Sequence, residues 1–289
     1  MLGKHRDVTR FRYSFLAAAR ADNRRVLEAL LGAFDEGATE LARYRALSMA
    51  VTLGHVECID ILIRYTTSEQ KLNNMLTEAA NAGCLRSVDH LLRMPTVDMT
   101  ANDHRALYAA ARANKVLILD RFLALPGVAA DQHLRSRALN AAAREGASDC
   151  VARLLASGPL SYAYTKSTMV AAAKRGYTDI VTMILPNLVN AQSTLVFAIA
   201  EAAIAGHAHI VDLLLRVDDA PSGNDAPPRL QRTIRRCAAN GYIDVVKMLL
   251  AALPKLRTTE ALKYAATDEL RAVLAAPTRK RERNDASDD

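Results

Sequence analysis

Tryptophan is absent from this 289-residue chain and phenylalanine occurs only five times. Any core must therefore be assembled from aliphatic side chains and alanine. Long apolar runs are missing too, and none approaches the roughly 18 residues of a membrane span. A secretory signal of the usual plan is excluded by Arg10, Arg12, Arg20, Arg24 and Arg25, which interrupt the N-terminus. An arginine-rich, acid-poor start also fits a mitochondrial transit peptide, but residues 15–31 already belong to the repeat traced below. Cysteine is scarce, and Cys58, Cys84, Cys150 and Cys237 include no close pair. That spacing gives neither a disulfide framework nor a metal knuckle. It reads as half-buried thiols in a reducing, cytoplasmic setting. No Gly-rich phosphate loop, HExxH helix or GxSxG elbow occurs, so no motif points to an enzyme or a cofactor.

What the chain has in abundance is repetition. AAREGASDCVARLL (142–155) returns as AAKRGYTDIVTMIL (172–185) and again as AAIAGHAHIVDLLL (202–215). Eight copies align on the central residues Asp22, Gly54, Gly83, Asn114, Gly146, Gly176, Gly206 and Gly241, with a period of about 31. Positions five, eight and nine after the centre are apolar in every copy, which chance would give about once in ten million. Seven before the centre stands another unbroken apolar column: Phe15, Leu47, Leu76, Leu107, Leu139, Met169, Ile199 and Ile234.

The spacing dictates a helix pair. The column at minus seven and the alanines at minus four and minus three share one face of a first helix, and the later apolar positions share one face of a second. Glycine at the centre supplies the left-handed residue that ends the first helix, and asparagine and aspartate are its most tolerant replacements. Glu57, Asp149, Asp179 and Asp244 fall three after the centre, where the second helix begins and its dipole favours negative charge. Each pair has one apolar side that only a stacked neighbour can cover. The expected class is all-α.

The phrase resembles the ankyrin repeat, whose pattern runs TPLH-x-AA-x-x-GH-x-x-VV-x-x-LL. Gly54-His55 and Gly206-His207 keep its Gly-His pair. The resemblance covers residues 12–276 and is closest to the divergent arrays of protists and large DNA viruses. It implies an ankyrin-type solenoid of about eight helix-turn-helix repeats with a truncated C-terminal cap, EALKYAATDELRAVLAAP (260–277). TPLH itself is missing throughout, which predicts short, irregular loops in place of regular β-hairpin fingers. The tetratricopeptide alternative needs longer helices and large interlocking aromatics, and this chain has neither. A basic segment, 1–11, precedes the array, and a charged tail, 277–289, follows it. In that tail Arg279, Lys280 and Arg281 read either as a nuclear import signal or as solvated charge.

Net charge is +7, partly because residues 1–25 hold seven Lys/Arg against two Asp. That favours a local contact with something acidic. At about 100° per residue, positions nine and two before the centre lie together on the side of the first helix turned from the core. Basic residues recur there. Arg105, Arg112, Arg137, Arg144 and Lys174, with Arg175 beside them, would form a ladder suited to carboxylates or phosphates. The bland alternative is an arginine-rich chain placing arginine wherever water reaches. By resemblance, the two residues before the glycine touch the bound protein on the concave face: Arg112-Ala113, Arg144-Glu145 and Lys174-Arg175. The expectation is a monomeric scaffold for a protein partner, with no membrane contact. Nucleic acid is the alternative, weakened because only Tyr108 is expected to lie near that face as a stacking ring. His207 and His209 invite a metal reading, but no third ligand is evident and His207 is the repeat's Gly-His position. The Pro- and Asp-rich segment 216–231 is either a recognition finger or a tolerated insertion.

Overall fold

The computed structural model describes residues 13–33, 36–66, 68–188, 191–221 and 227–276. The segment 1–11, the tail with Arg279–Arg281 and part of the 216–231 loop lie outside them. The chain divides into two compact units, Met1–Leu154 and Leu155–Asp289. No described residue is in a strand.

In the first unit, first helices α1 (13–20), α3 (Glu36–Leu53), α5 (Glu69–Ala82), α7 (Ala101–Arg112) and α10 (Gln132–Arg144) alternate with second helices. These second helices are α2 (Arg24–Ala33), α4 (Val56–Ile63), α6 (Leu85–Leu92), α8 (Val116–Leu123) and α11 (Ser148–Leu155), and a one-turn α9 (Pro126–Ala130) fills one connection. In the second unit, α12 (Tyr162–Arg175), α14 (Gln192–Ala205) and α16 (Pro228–Asn240) pair with α13 (Thr178–Ile184), α15 (Ala208–Leu215) and α17 (Ile243–Ala252). The short pair α18 (Thr259–Lys263) and α19 (Asp268–Ala275) caps it. Inside each unit first helices pack on first helices and second on second.

Every centre is left-handed: φ is 51° at Asp22, 54° at Asn114 and 77–83° at the six glycines. The following N–H then reaches back to the carbonyl at minus four, as from Tyr177 to Ala172 (3.1 Å), His207 to Ala202 (2.9 Å) and Tyr242 to Cys237 (3.0 Å). This closure satisfies carbonyls at the end of the first helix as the chain turns into the second.

The column from Phe15 to Ile234 is at most 1% exposed, and the small residues at minus four and minus three are buried beside it. Small side chains there let neighbouring first helices approach closely. On the second helices the buried arc is shifted from the one expected. After the first repeat, where Val26 is exposed and Leu30 half-buried, positions four, five and eight are buried, as in Ile180, Val181 and Ile184. Position nine is buried, as expected, at Leu31, Leu123 and Leu250, but half-buried at Ile63, Leu92, Leu155, Leu185 and Leu215. Positions four, five and eight span only about 100° of helix, and nine lies beyond that arc. Cysteine or serine at position four (Cys58, Ser87, Cys150) hid this in the sequence.

Candidate interaction surface

The packing of alanine against alanine leaves the other side of each first helix to solvent, and the arginine stripe lies there. In the first unit Arg105, Arg112, Arg144 and Glu145 are exposed. Arg112 Nη2 lies 3.6 Å from Glu145 Oε1 on the next repeat. Arg137 is tied more firmly: its guanidinium forks onto the Asp103 carboxylate, with Nη1 donating to Oδ1 at 2.8 Å, and covers the Tyr108 ring at 4.8 Å. Backbone geometry puts Asp103 in reach, because Asn102, Asp103 and His104 are all left-handed, at φ 53°, 59° and 60°. The Arg137 guanidinium in turn holds the Asp103 carboxyl below the usual range. Arg105 and Arg144 have no ion pair among the described residues.

In the second unit Lys174 and Arg175 are exposed at the end of α12. Lys174 Nζ is 3.5 Å from Glu201, which also takes Arg229 at 3.5 Å. Phe197, nine before Gly206, is a ring on this face that the sequence reading overlooked. Arg229 lies 3.8 Å and Lys166 5.0 Å from its centroid. Tyr108 and Phe197 are thus both occupied by cations, which weakens the case for base stacking.

Sequence reasoning also missed an ordered set of ion pairs along the second helices. His90 Nε2 donates to Asp60 at 2.7 Å, Arg121 meets Asp89 at 2.5 Å, and Arg153 meets Asp120 at 2.5 Å. In each pair an acid six after one centre meets a basic residue seven after the next. Aligning those two columns would have revealed it.

His207 and His209 stand 6.2 Å apart, centroid to centroid. The His207 ring is engaged in packing, with Nε2 donating to the Lys174 carbonyl at 3.2 Å. Among the described residues no group of three His, Cys, Asp or Glu side chains is placed to hold a metal ion. No helix there is long and apolar enough to cross a membrane.

No family model matches the sequence, and no curated protein matches it. Among solved structures, the chain is similar to the human ASB11 ankyrin repeat domain. The TM-score is 0.55 at 21% identity, over 70% of this chain and 98% of that one. The likeness agrees with the repeat geometry: the fold is an all-α, ankyrin-type solenoid.

Proposed function

We propose that this chain is a non-enzymatic scaffold whose first-helix face binds an acidic surface of a partner protein. Solenoids of this kind bind through extended surfaces built by their repeats. The reading is supported chiefly by Arg105 and Arg144, exposed cations on rigid helices with no carboxylate in reach among the described residues. Arg112, whose contact with Glu145 is long and open to water, is free to exchange that partner for another. Arg137 serves instead to bind Asp103 and brace the stripe. Lys174 and Arg175 extend the same chemistry on the second unit.

The test is a pull-down followed by mass spectrometry, comparing the native chain with Arg105→Glu/Arg144→Glu. Folding survives within about 0.5 kcal/mol per site, since these side chains make no core contact. Proteins retained by the native chain are lost by the reversed one, with the larger difference at low salt. Arg93→Glu, an exposed change at the end of α6, leaves capture intact. Equal capture by the native and doubly reversed chains identifies the stripe as solvated charge.

A further inference from the structure

In the second unit the solvent-facing side of the first helix α16 is also basic. This helix, PRLQRTIRRCAAN, carries four arginines and no acid. Its buried side is Leu230, Thr233, Ile234, Cys237 and Ala238. Arg232, Arg235 and Arg236 fall together on the opposite side, and all three are exposed. Arg235 lies over Tyr264, 5.7 Å from the ring centroid. Arg229, at the margin, is held by Glu201 and Phe197. Arg232 and Arg236 have neither an ion pair nor a side-chain hydrogen bond among the described residues.

The loop after α17 adds to this charge. Gln231 clasps it by both amide atoms: Nε2 donates to the Arg257 carbonyl at 2.6 Å, and Oε1 accepts the Arg257 N–H at 3.0 Å. Lys255 and Arg257 are exposed on that loop, and no ion pair reaches either among the described residues. Lys263 is occupied, bonded to Glu260 at 2.6 Å. Four uncompensated cations are therefore fixed to one helix and a loop anchored on it. Guanidinium groups in such an array favour carboxylates held in matching register.

We infer that the outer face of α16, with Lys255 and Arg257, docks an acidic segment of another protein. Arg232 and Arg236 stand one helical turn apart, about 6 Å along the axis. That spacing fits carboxylates at successive turns of an acidic helix. A nucleic acid is the poorer fit, because the aromatic rings beside the surface, Phe197 and Tyr264, already have cations against them and offer bases no free platform. Arg232 stands nine before Gly241, in the same column as Arg105, so this inference rests on the reading of the first-helix face proposed above; Arg105 and Arg144 belong to the first unit and α16 to the second.

The test uses the full chain and a fluorescent helical peptide of about 16 residues with glutamates at i and i+4. A glutamine counterpart and a single-stranded DNA of equal charge serve as the other probes, and binding is read by anisotropy. The glutamate peptide binds and the glutamine peptide does not. Arg232→Glu/Arg236→Glu weakens binding at least about tenfold with an unchanged circular dichroism spectrum. Arg105→Glu/Arg144→Glu leaves it within about twofold. Undiminished binding to the α16 variant overturns the assignment. So does DNA that binds more tightly than the peptide and is lost through the same two substitutions, which would make the surface a polyanion site.

Discussion

The imidazole of His207 occupies the space into which a β-carbon on Gly176 would grow: its Cε1 lies 2.7 Å from that position. The same relation holds between Tyr242 and Gly206 at 2.9 Å, and between Lys115 and Gly83 at 2.7 Å. At Gly176 and Gly206 glycine is therefore favoured twice over, once for its left-handed φ and once because a ring from the next repeat rests on it. Asn114 shows what a replacement needs. The residue corresponding to His207 in the following repeat is Ala147, and the asparagine uses the room to reach across. Its Nδ2 donates to Asp149 at 2.9 Å, and its Oδ1 accepts the Cys150 N–H at 3.0 Å.

Gly176→Val accordingly destabilises by about 1–2 kcal/mol or more, from a β-branched residue forced to positive φ. Gly176→Asn is milder in backbone strain but still meets His207. Gly176→Asn/His207→Ala recovers part of that loss, with a coupling of about 0.5–3 kcal/mol in denaturant unfolding. Strict additivity would show that the imidazole does not restrict the site.

Two adjacent leucines on α6 separate the buried arc from its margin. Leu91 is fully buried and Leu92 half-buried. Leu91→Ala costs about 2–5 kcal/mol, the range for core leucines, and Leu92→Ala clearly less. Equal losses in urea unfolding would restore the arc expected from the sequence.

That arc also shows where the sequence was legible. The minus-seven column and the centres were readable because each position has one job in every repeat, apolar burial in the first and a left-handed turn in the second. Position four was not, because buried Cys58, Ser87 and Cys150 look polar beside the leucines at position nine. The stripe was legible as a column, but its partners were not. Arg137 meets Asp103 only because three residues turn left-handed at the start of α7, and no periodicity announces that turn. Phe197 is hard to read because its column, with Arg45, Arg105, Arg137 and Arg232, stands out for its charge and not for its rings.

Acid should weaken the first unit at two carboxyls, those of Asp131 and Asp103. Asp131 caps α10, accepting the His133 N–H at 2.7 Å and the Leu134 N–H at 3.1 Å. The Leu134 bond holds its carboxyl below the usual range, as the Arg137 guanidinium does for Asp103. A carboxyl depressed by folding contributes stability that is full above its unfolded pKa, about 3.9, and is lost as pH falls through the folded value. Thermal melting of Asp131→Ala is therefore lower at neutral pH and declines less steeply than wild type below about pH 4. Parallel declines would remove the cap from the acid response.

Thiol reactivity offers a test that needs no partner. Cys58, Cys150 and Cys237 are fully buried, and burial pushes each thiol up to about 12. At pH 8 such a thiol is ionised in about one molecule in ten thousand, and the thiolate is the reactive form. Cys84 is only half-buried, beside Gly54 with Sγ 3.3 Å from Ser87 Oγ. Native protein treated with a disulfide reagent at pH 8 should therefore label Cys84 first. The other three wait for local or global opening, so their labelling rates should rise with denaturant. Peptide mapping assigns the sites. Cys150 is the decisive one, because its N–H is held by Asn114 and its side chain lies within the buried arc of α11. Asn114→Ala removes that anchor, so Cys150 should become reactive at lower denaturant while Cys237, in the other unit, keeps its native rate. Rapid labelling of all four cysteines in native wild type would contradict the packing described for position four.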